Sequence, residues 1–348
     1  MEPITHLLTG ACLARAGFNR KTALATTVMV LAAEAPDLDI VAYFGGSVTG
    51  FQHHRGITHT LAGVPLIAAA VVGFVWLLHR WRVQRGWQPK ASSPPLRWPL
   101  LYLFACLAAL SHILLDFTNQ YGVRPFEPFS YQWYAWDIVA IVEPALLALL
   151  AAGLLLPLLF RLINEEVGAR TKGPHGRAGA IVALLLVVAV WWFRDLQHRR
   201  ALANLQSQTY LGAEPVRASA YPYMTDPFTW YGVVETETFF GSMHVDSRTG
   251  EVDRERRMRV RYKPQETPVT LAAKSSPMGR VYLDWAAYPY VEVEKLAPPE
   301  SGYLVHLYDL RYTYPEENVG VLGATVELDD RLAVRRQGMG RRALQPAD

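Results

Sequence analysis

Residues 99–117, PLLYLFACLAALSHILLDF, form an apolar run about as long as a bilayer is thick, and the run ends in a histidine and an aspartate. Hydrocarbon offers no hydrogen-bond partners, so His112 and Asp116 each need a polar partner to offset the cost of leaving water. Residues i and i+4 share one face of a helix, so both side chains can point at the same partner. The stretch therefore predicts a transmembrane helix with a polar site at one end.

The rest of the chain has two parts of different composition. It contains 348 residues, of which 51% are hydrophobic and 19% are charged. Long apolar runs fill the first part, whereas the second is rich in Arg, Glu, Asp and Tyr. We predict an α-helical integral membrane domain over residues 1–200 and a β-rich soluble domain over residues 201–348. The net charge of +3 is too small and too dispersed to indicate a nucleic-acid partner.

Five apolar stretches are candidate membrane spans. A shorter run before them, ITHLLTGACLARAGF, cannot cross the bilayer and predicts an N-terminal half-helix. The membrane domain is thus expected to have about five spans plus this half-helix. The candidate spans are residues 21–46, 60–79, 99–117, 137–160 and 178–193.

The soluble domain is expected to be built from strands. GYLVHLYDLRYTY alternates apolar and polar residues, and WYGVVETETFFGSMHV with the following basic segment resembles two strands around a turn. The two cysteines, Cys12 and Cys106, lie in apolar stretches. The chain therefore predicts neither a disulfide framework nor a thiolate zinc site.

Loop charges predict the orientation of the spans. Residues 80–98 and 161–177 carry most of the Lys and Arg, whereas the alternate loops, 45–59 and 118–136, have one Arg each. By the positive-inside rule the basic loops face the cytoplasm, which places the other loops and the C-terminal domain outside. Basic residues just past the last span argue mildly the other way. We expect a multi-pass protein of a bacterial-type inner (plasma) membrane.

Histidine and carboxylate side chains from four separate segments gather on the predicted outer side. Each group has an ordinary explanation by itself: a hydrogen-bonded His/Asp pair, an acidic helix start at APDLD, or a chance histidine cluster. Their coincidence at one depth predicts a site for a divalent metal, with zinc expected and manganese or iron as alternatives. The side chains concerned are Glu34, Asp37, Asp39, His53, His54, His59, His112, Asp116, Asp137 and Glu143.

Four motifs in order, THLLTG, EAPDLD, HHRGITHT and SHILLDFTNQYGVRPFEPFS, give residues 1–195 a resemblance to the YdjM-like family of inner-membrane metal-dependent hydrolases. The ligand order is more distantly similar to zinc-dependent phospholipase C and the related single-strand-specific zinc nucleases. Their next ligands, a His and a Glu one turn apart, have no match here, so one or two ions are expected. The resemblance implies metal ligands at His6, Asp37, His59, His112 and Asp116.

The residues themselves extend this set. His53 and His54 offer further imidazoles from a loop that contains Gly56. Whether Asp137 and Glu143 join the site stays open.

A metal with an open position makes hydroxide available at neutral pH, which predicts hydrolysis, most plausibly of a phosphoester. Asp39 or Glu34 is a candidate base for the water's proton. Arg55 can neutralise a phosphate or an oxyanion, or it is a solvated surface residue. A site at the edge of the bilayer favours a lipid or lipid-linked substrate.

Two other functions fit the same residues. A metal-ion transporter needs polar groups at several depths, and only Glu143 lies deeper than the rest. A non-catalytic membrane scaffold needs only an ion that holds helices together. The sequence leaves the substrate, the oligomeric state and the role of the soluble domain open.

Overall fold

The computed structural model describes residues 1–88, 93–166, 176–314, 322–340 and 345–346. The chain forms two compact units, which we call the membrane unit and the β-rich unit. The membrane unit comprises Met1–Leu38 and Arg55–Asp195, and the β-rich unit comprises Asp39–His54 and Leu196–Asp348. Residues 39–54 therefore group with the C-terminal strands. A single domain boundary near residue 200 does not anticipate this grouping.

In chain order the helices are α1 (Pro3–Arg15), α2 (Ala25–Glu34), α3 (Ser47–His53), α4 (Gly63–Gln84), α5 (Trp98–Thr118), α6 (Pro144–Glu166), α7 (Arg177–Gln206), α8 (Pro268–Ser275) and α9 (Pro277–Trp285). The strands are β1 (Arg217–Pro222), β2 (Thr229–Glu235), β3 (Phe239–Asp246), β4 (Arg259–Tyr262), β5 (Pro289–Lys295), β6 (Tyr303–Asp309), β7 (Gly323–Leu328), β8 (Val334–Met339) and β9 (Gln345–Pro346). Segments of 3-10 helix lie at Phe18–Arg20, Ala35–Gly45, Ile57–His59 and Leu310–Tyr312.

Among the described residues, four helices are long and apolar enough to cross a membrane: α4, α5, α6 over Pro144–Ile163, and α7. The first predicted span, residues 21–46, is not among them. There α2 has ten residues, which rise about 15 Å, half the thickness of the hydrocarbon core. Pro36 lacks an amide donor, which removes an α-helical hydrogen bond at this point, and the chain continues as 3-10 turns.

Small residues bring the membrane unit's helices close together. α2 packs against both α1 and α5, and α5 also packs against α4. At the crossing of α1 and α2, a Cβ on Gly10 would lie 2.7 Å from the backbone oxygen of Met29, so only glycine fits. Ala105 and Ala108 of α5 are fully buried in the same core. The close packing carries the end of α5, with His112 and Asp116, into the protein interior.

The β-rich unit contains two antiparallel sheets, one in the order β1-β2-β3-β4 and one in the order β5-β6-β7-β8-β9. The expected β-rich character is confirmed, although the stretch predicted as two strands forms β2, β3 and β4. Two helices, α8 and α9, lie between β4 and β5 in the chain and were not predicted from the sequence. α8 begins with a capping box between Thr267 and Thr270, and α9 has Ser276 as its N-cap followed by Pro277. Both are sequence signals for a helix start.

α3 is held within the β-rich unit by aromatic packing. The Phe51 ring stacks on Tyr282 with centroids 6.0 Å apart and meets Trp285 edge-on at 5.4 Å. Phe51 is buried. These contacts explain why residues 39–54 fold with the C-terminal part of the chain rather than with the helices that flank them in sequence.

Candidate metal centre

Four side chains of the membrane unit converge: Asp37, His59, His112 and Asp116. Each offers one ligand atom, and all four atoms lie within 4.8 Å of one another. Asp37 comes from the 3-10 turns after α2, His59 from the 3-10 turn before α4, and the other two from the last turns of α5. Two histidines and two aspartates in this arrangement could bind a divalent metal ion.

Five of the six distances between the ligand atoms are short enough for these atoms to share one ion. The Nε2 atoms of His59 and His112 are 3.0 Å apart. Asp37 Oδ1 lies 3.3 Å from His59 Nε2 and 3.4 Å from His112 Nε2. Asp116 Oδ2 lies 3.4 and 3.5 Å from the same two nitrogens. Bond lengths of about 2.0–2.1 Å to a tetrahedral zinc ion give ligand-to-ligand edges of about 3.3–3.4 Å.

The Asp116 carboxylate divides its two oxygens between different partners. Oδ1 accepts a hydrogen bond of 2.9 Å from Arg55 and also contacts the Met1 amine. Oδ2 faces the two histidines and, among the described residues, receives no hydrogen bond although it is fully buried. A buried carboxylate oxygen without a donor is costly. A cation among these ligand atoms satisfies it, so the residues present fit a metal.

The histidine rings are held so that Nε2 faces the cluster. His112 Nδ1 lies 2.7 Å from the backbone oxygen of Ala33 and can donate to it, which leaves Nε2 as a lone pair. His59 Nδ1 lies 3.0 Å from Thr58 Oγ1. Both imidazoles are fully buried. The Ala33 carbonyl is a backbone group, so no sequence motif points to it.

Asp37 is the most accessible of the four, with its side chain 23% exposed. Burial acts to raise the pKa of this carboxyl, but the adjacent His112 and His59 rings outweigh it and hold the pKa well below its usual range. The side chain is therefore ionised and ready to act as a ligand. Its exposure marks the side on which the cluster can be reached.

Arg55 contacts the cluster through the Asp116 carboxylate. It is 4% exposed, which excludes the solvated surface position considered from the sequence. Besides its bond to Asp116, it donates to the Gly122 carbonyl at 2.8 Å and to Asn119 Oδ1 at 3.4 Å, and it lies 4.6 Å from the centre of the Tyr121 ring. These contacts make Arg55 a positioning residue for Asp116 rather than a group exposed to an anion. Its φ of +52° is strained backbone, of the kind that clusters at functional sites.

The loop after α5 supplies the remaining support. Asn119 Nδ2 donates to Asp116 Oδ1 at 3.4 Å. Tyr121 is buried beneath Arg55. Arg124 is buried over the Trp133 ring.

His6 lies beside the cluster. Its ring stacks on His112 with centroids 3.7 Å apart, and its Nε2 is 3.5 Å from Asp116 Oδ1. Both ring nitrogens are buried and, among the residues described, have no hydrogen-bond partner. His6 is therefore placed to serve as a further ligand, as the sequence predicts, although it is not one of the four converging donors.

Three predicted site residues, Asp39, His53 and His54, belong to the β-rich unit and are not among the converging donors. His54 Nδ1 lies 3.2 Å from Asp39 Oδ1, so these two side chains pair with each other. His53 is the exposed last residue of α3. The physical reason is the packing of α3, which draws residues 39–54 into the other unit.

Glu34, the other predicted base, ends α2 one turn before Asp37. Its Oε2 is buried and, in the part of the chain that the structure describes, accepts no hydrogen bond. Burial raises the pKa of this carboxyl to about 7, and the negative charge of Asp37 adds to the effect. A carboxyl that titrates near neutral pH is suited to accept a proton.

Glu143, left open by the sequence, lies in a separate buried ion pair. Its Oε2 is 3.0 Å from the Arg194 guanidinium of α7 and accepts a 3.4 Å hydrogen bond from the Ala140 amide. Nearby, Trp136 donates to Asp195 at 2.9 Å. These contacts fasten the loop before α6 to α7, so Glu143 has a structural role.

The family model described as YdjM inner membrane protein matches residues 1–201. The uncharacterized protein YfhP of Bacillus subtilis (strain 168) is 25% identical over 152 residues. That alignment covers 41% of this chain and 42% of YfhP, less than half of either. No solved structure matches the chain. The more distant likeness to zinc-dependent phospholipase C and the zinc nucleases stays a prediction.

Proposed function

Because the chain belongs to the YdjM inner membrane protein family, we propose that it is a membrane-embedded, metal-dependent hydrolase that cleaves a phosphoester of a lipid or lipid-linked substrate. The observation that carries the proposal is the Asp116 Oδ2 atom, buried without a hydrogen-bond donor and facing two imidazole nitrogens. A buried carboxylate oxygen that faces two imidazole nitrogens without accepting a hydrogen bond is costly unless a cation joins them.

The ion is proposed to be zinc, held by Asp37, His59, His112 and Asp116. Imidazole and carboxylate are ligands that zinc accepts, and hydrolysis requires that the ion also keep a position open for water. The stacked position of His6 supports a fifth donor, or a share in a second ion. Asp39, His53 and His54 are left out of the proposal, because they are not among the converging donors.

A zinc-type ion, when bound, supplies Lewis acidity and lowers the pKa of water from about 15.7 to about 7. The protein supplies position and proton transfer. Arg55 and Asn119 fix the Asp116 carboxylate, and the Ala33 carbonyl fixes the His112 ring. Glu34, with its raised pKa and its unpartnered oxygen, accepts the proton of the attacking water and passes it to the leaving group.

A lipid substrate is supported by the surroundings of the ligands. His112 and Asp116 end a membrane-length helix, so the cluster lies at one end of a span. Large apolar side chains stand exposed beside the other ligands in sequence: Leu38 after Asp37, and Ile57 before His59. Such side chains suit an acyl chain or the bilayer interface.

The first experiment measures metal in the full-length protein purified in detergent. His59→Ala, His112→Ala and Asp116→Asn are each expected to lose the ion that the parent protein retains, because each removes a ligand. His53→Ala is the matched control, a histidine of the same sequence motif that lies in the other unit, and it should keep the parent metal content. Full metal content in the first three variants would refute the site.

The second experiment separates an enzyme from a scaffold. Glu34→Gln is expected to retain the metal but to lose hydrolysis of phosphoester lipids, because the amide cannot accept a proton. In the parent protein the rate should fall as pH drops through the pKa of Glu34, since a base works only when deprotonated. Metal binding without turnover of any phosphoester or lipid tested would favour the scaffold alternative. The transporter alternative is weakened because Glu143, its deeper residue, is paired with Arg194.

A further inference from the structure

A cavity in the membrane unit lies far from the metal ligands. Its volume is about 560 Å³, and it opens between the end of α1, the start of α5 and the start of α7. Leu100, at the start of α5, lines it, whereas Asp116 ends the same helix. Sixteen helical residues rise about 24 Å, so the cavity and the metal ligands occupy opposite ends of one span.

The cavity has an apolar floor. Phe18, Leu100 and Phe104 line it, and the rings of Phe18 and Phe104 meet edge-to-face with centroids 4.7 Å apart. Phe104 is buried in the helical core, whereas Phe18 and Leu100 are partly exposed toward the cavity. The apolar side chains of this floor suit a hydrocarbon chain.

The rim is cationic. Arg20, Lys21 and Arg177 line the cavity and are exposed, and no acidic residue is among the lining residues that the structure describes. Arg177 donates from Nε to the Ala16 carbonyl at 2.9 Å, which holds its side chain at the rim. Gly17 lies beside that guanidinium, and its φ of +151° is a backbone conformation that favours glycine. A cationic side chain that is already held in position loses less conformational entropy when it binds an anion.

We propose that this cavity binds an anionic phospholipid, with its phosphate against Arg20, Lys21 and Arg177 and an acyl chain along Phe18, Leu100 and Phe104. Charge complementarity carries the proposal: three cations border an apolar floor at the end of a membrane span, and no carboxylate is among the described residues that line the cavity. Basic pockets between transmembrane helices at the cytoplasmic side are suited to anionic head groups. The site does not depend on hydrolysis at the metal centre.

The test uses full-length protein in lipid nanodiscs of equal parts phosphatidylglycerol and phosphatidylcholine, followed by native mass spectrometry of the lipids that remain bound. The parent protein is expected to retain phosphatidylglycerol selectively. The double variant Arg20→Gln/Lys21→Gln should retain roughly tenfold less, since each basic residue near the surface contributes to the attraction. Arg20→Lys/Lys21→Arg, which keeps both charges, should behave as the parent.

The matched control is Arg82→Gln/Arg85→Gln, which removes two exposed cations from the end of α4 that do not line the cavity. It should retain phosphatidylglycerol as the parent does. Metal content and thermal unfolding, measured on every variant, show that the fold is intact. Equal lipid retention in all variants, equal loss in the control, or displacement of phosphatidylglycerol by millimolar inorganic phosphate would overturn the proposal.

Discussion

Asp116 shows how much of the candidate site depends on a single side chain. One oxygen is held by Arg55 and Asn119, and the other is aimed at two histidines. The i, i+4 spacing in a helix was enough to predict that His112 and Asp116 act together. It could not predict that Arg55 lies behind the carboxylate, because that contact joins the loop before α4 to the end of α5.

Replacing Arg55 with lysine is expected to weaken metal binding about 10–100-fold, the usual effect of losing support for a ligand. Lysine keeps the charge but has no planar fork, so it cannot contact Asp116, Asn119 and Gly122 together. Zinc affinity is measured by competition with a chromogenic chelator. Arg254→Lys, at an exposed position of the β-rich unit, is the control and should leave affinity unchanged. Equal affinities in both variants would contradict the positioning role.

At the scale of elements, composition and length identified the long spans and the short N-terminal helix α1, but not the helices of the β-rich unit. The four helices α4 to α7 follow directly from bilayer-length apolar runs. The short length of α2 depends instead on Pro36, which interrupts the α-helix although the residues around it are apolar. α8 and α9 begin with helix-capping residues, but they lie in a segment that was predicted to be β-rich. A prediction based only on the periodicity of apolar residues overlooks such capping residues.

The contact between α1 and α2 predicts the effect of a single added methyl group. Gly10→Ala places a Cβ 2.7 Å from the Met29 carbonyl and 2.9 Å from the Ala33 Cβ, so the helices must separate. This change is expected to destabilise the protein by about 1–3 kcal/mol, as overpacking does. It should also weaken metal binding, because the Ala33 carbonyl orients His112.

Gly73→Ala is the matched control for that change. It lies inside α4, where an added Cβ meets nothing within 4 Å, so alanine should be neutral or stabilising by up to about 1 kcal/mol. Thermal unfolding in detergent, followed by tryptophan fluorescence, compares the two variants. If Gly10→Ala unfolded at or above the temperature of Gly73→Ala, the close helix contact would be in doubt.

For the whole molecule, the sequence predicted a membrane part and a β-rich part, and both are present as compact units. It did not predict that residues 39–54 cross from one to the other, because the Phe51 contacts with Tyr282 and Trp285 join positions distant in the chain. The sequence grouped Asp39, His53 and His54 with the metal ligands by their predicted position on the outer side, and they are not among the four converging donors.

Membrane orientation is tested by cysteine labelling in a Cys12→Ala/Cys106→Ala background. The positive-inside rule predicts that the β-rich unit is outside and the end of α4 is in the cytoplasm. Ser207→Cys and Gln84→Cys are exposed positions in these two regions. An impermeant maleimide should label the first in spheroplasts and the second only after the membrane is opened. The opposite pattern would invert the proposed orientation.

The membership of residues 39–54 in the β-rich unit also sets an order of events during synthesis. Phe51 leaves the ribosome long before its partners on α9, and at about 5–20 residues per second Trp285 follows roughly 10–50 s later. During that interval α3 has no aromatic surface to cover it. The stretches on either side, which carry Asp37 and His59, are therefore held in their final positions only after most of the protein has been translated. A metal ion that arrived earlier would meet an incompletely formed set of ligands.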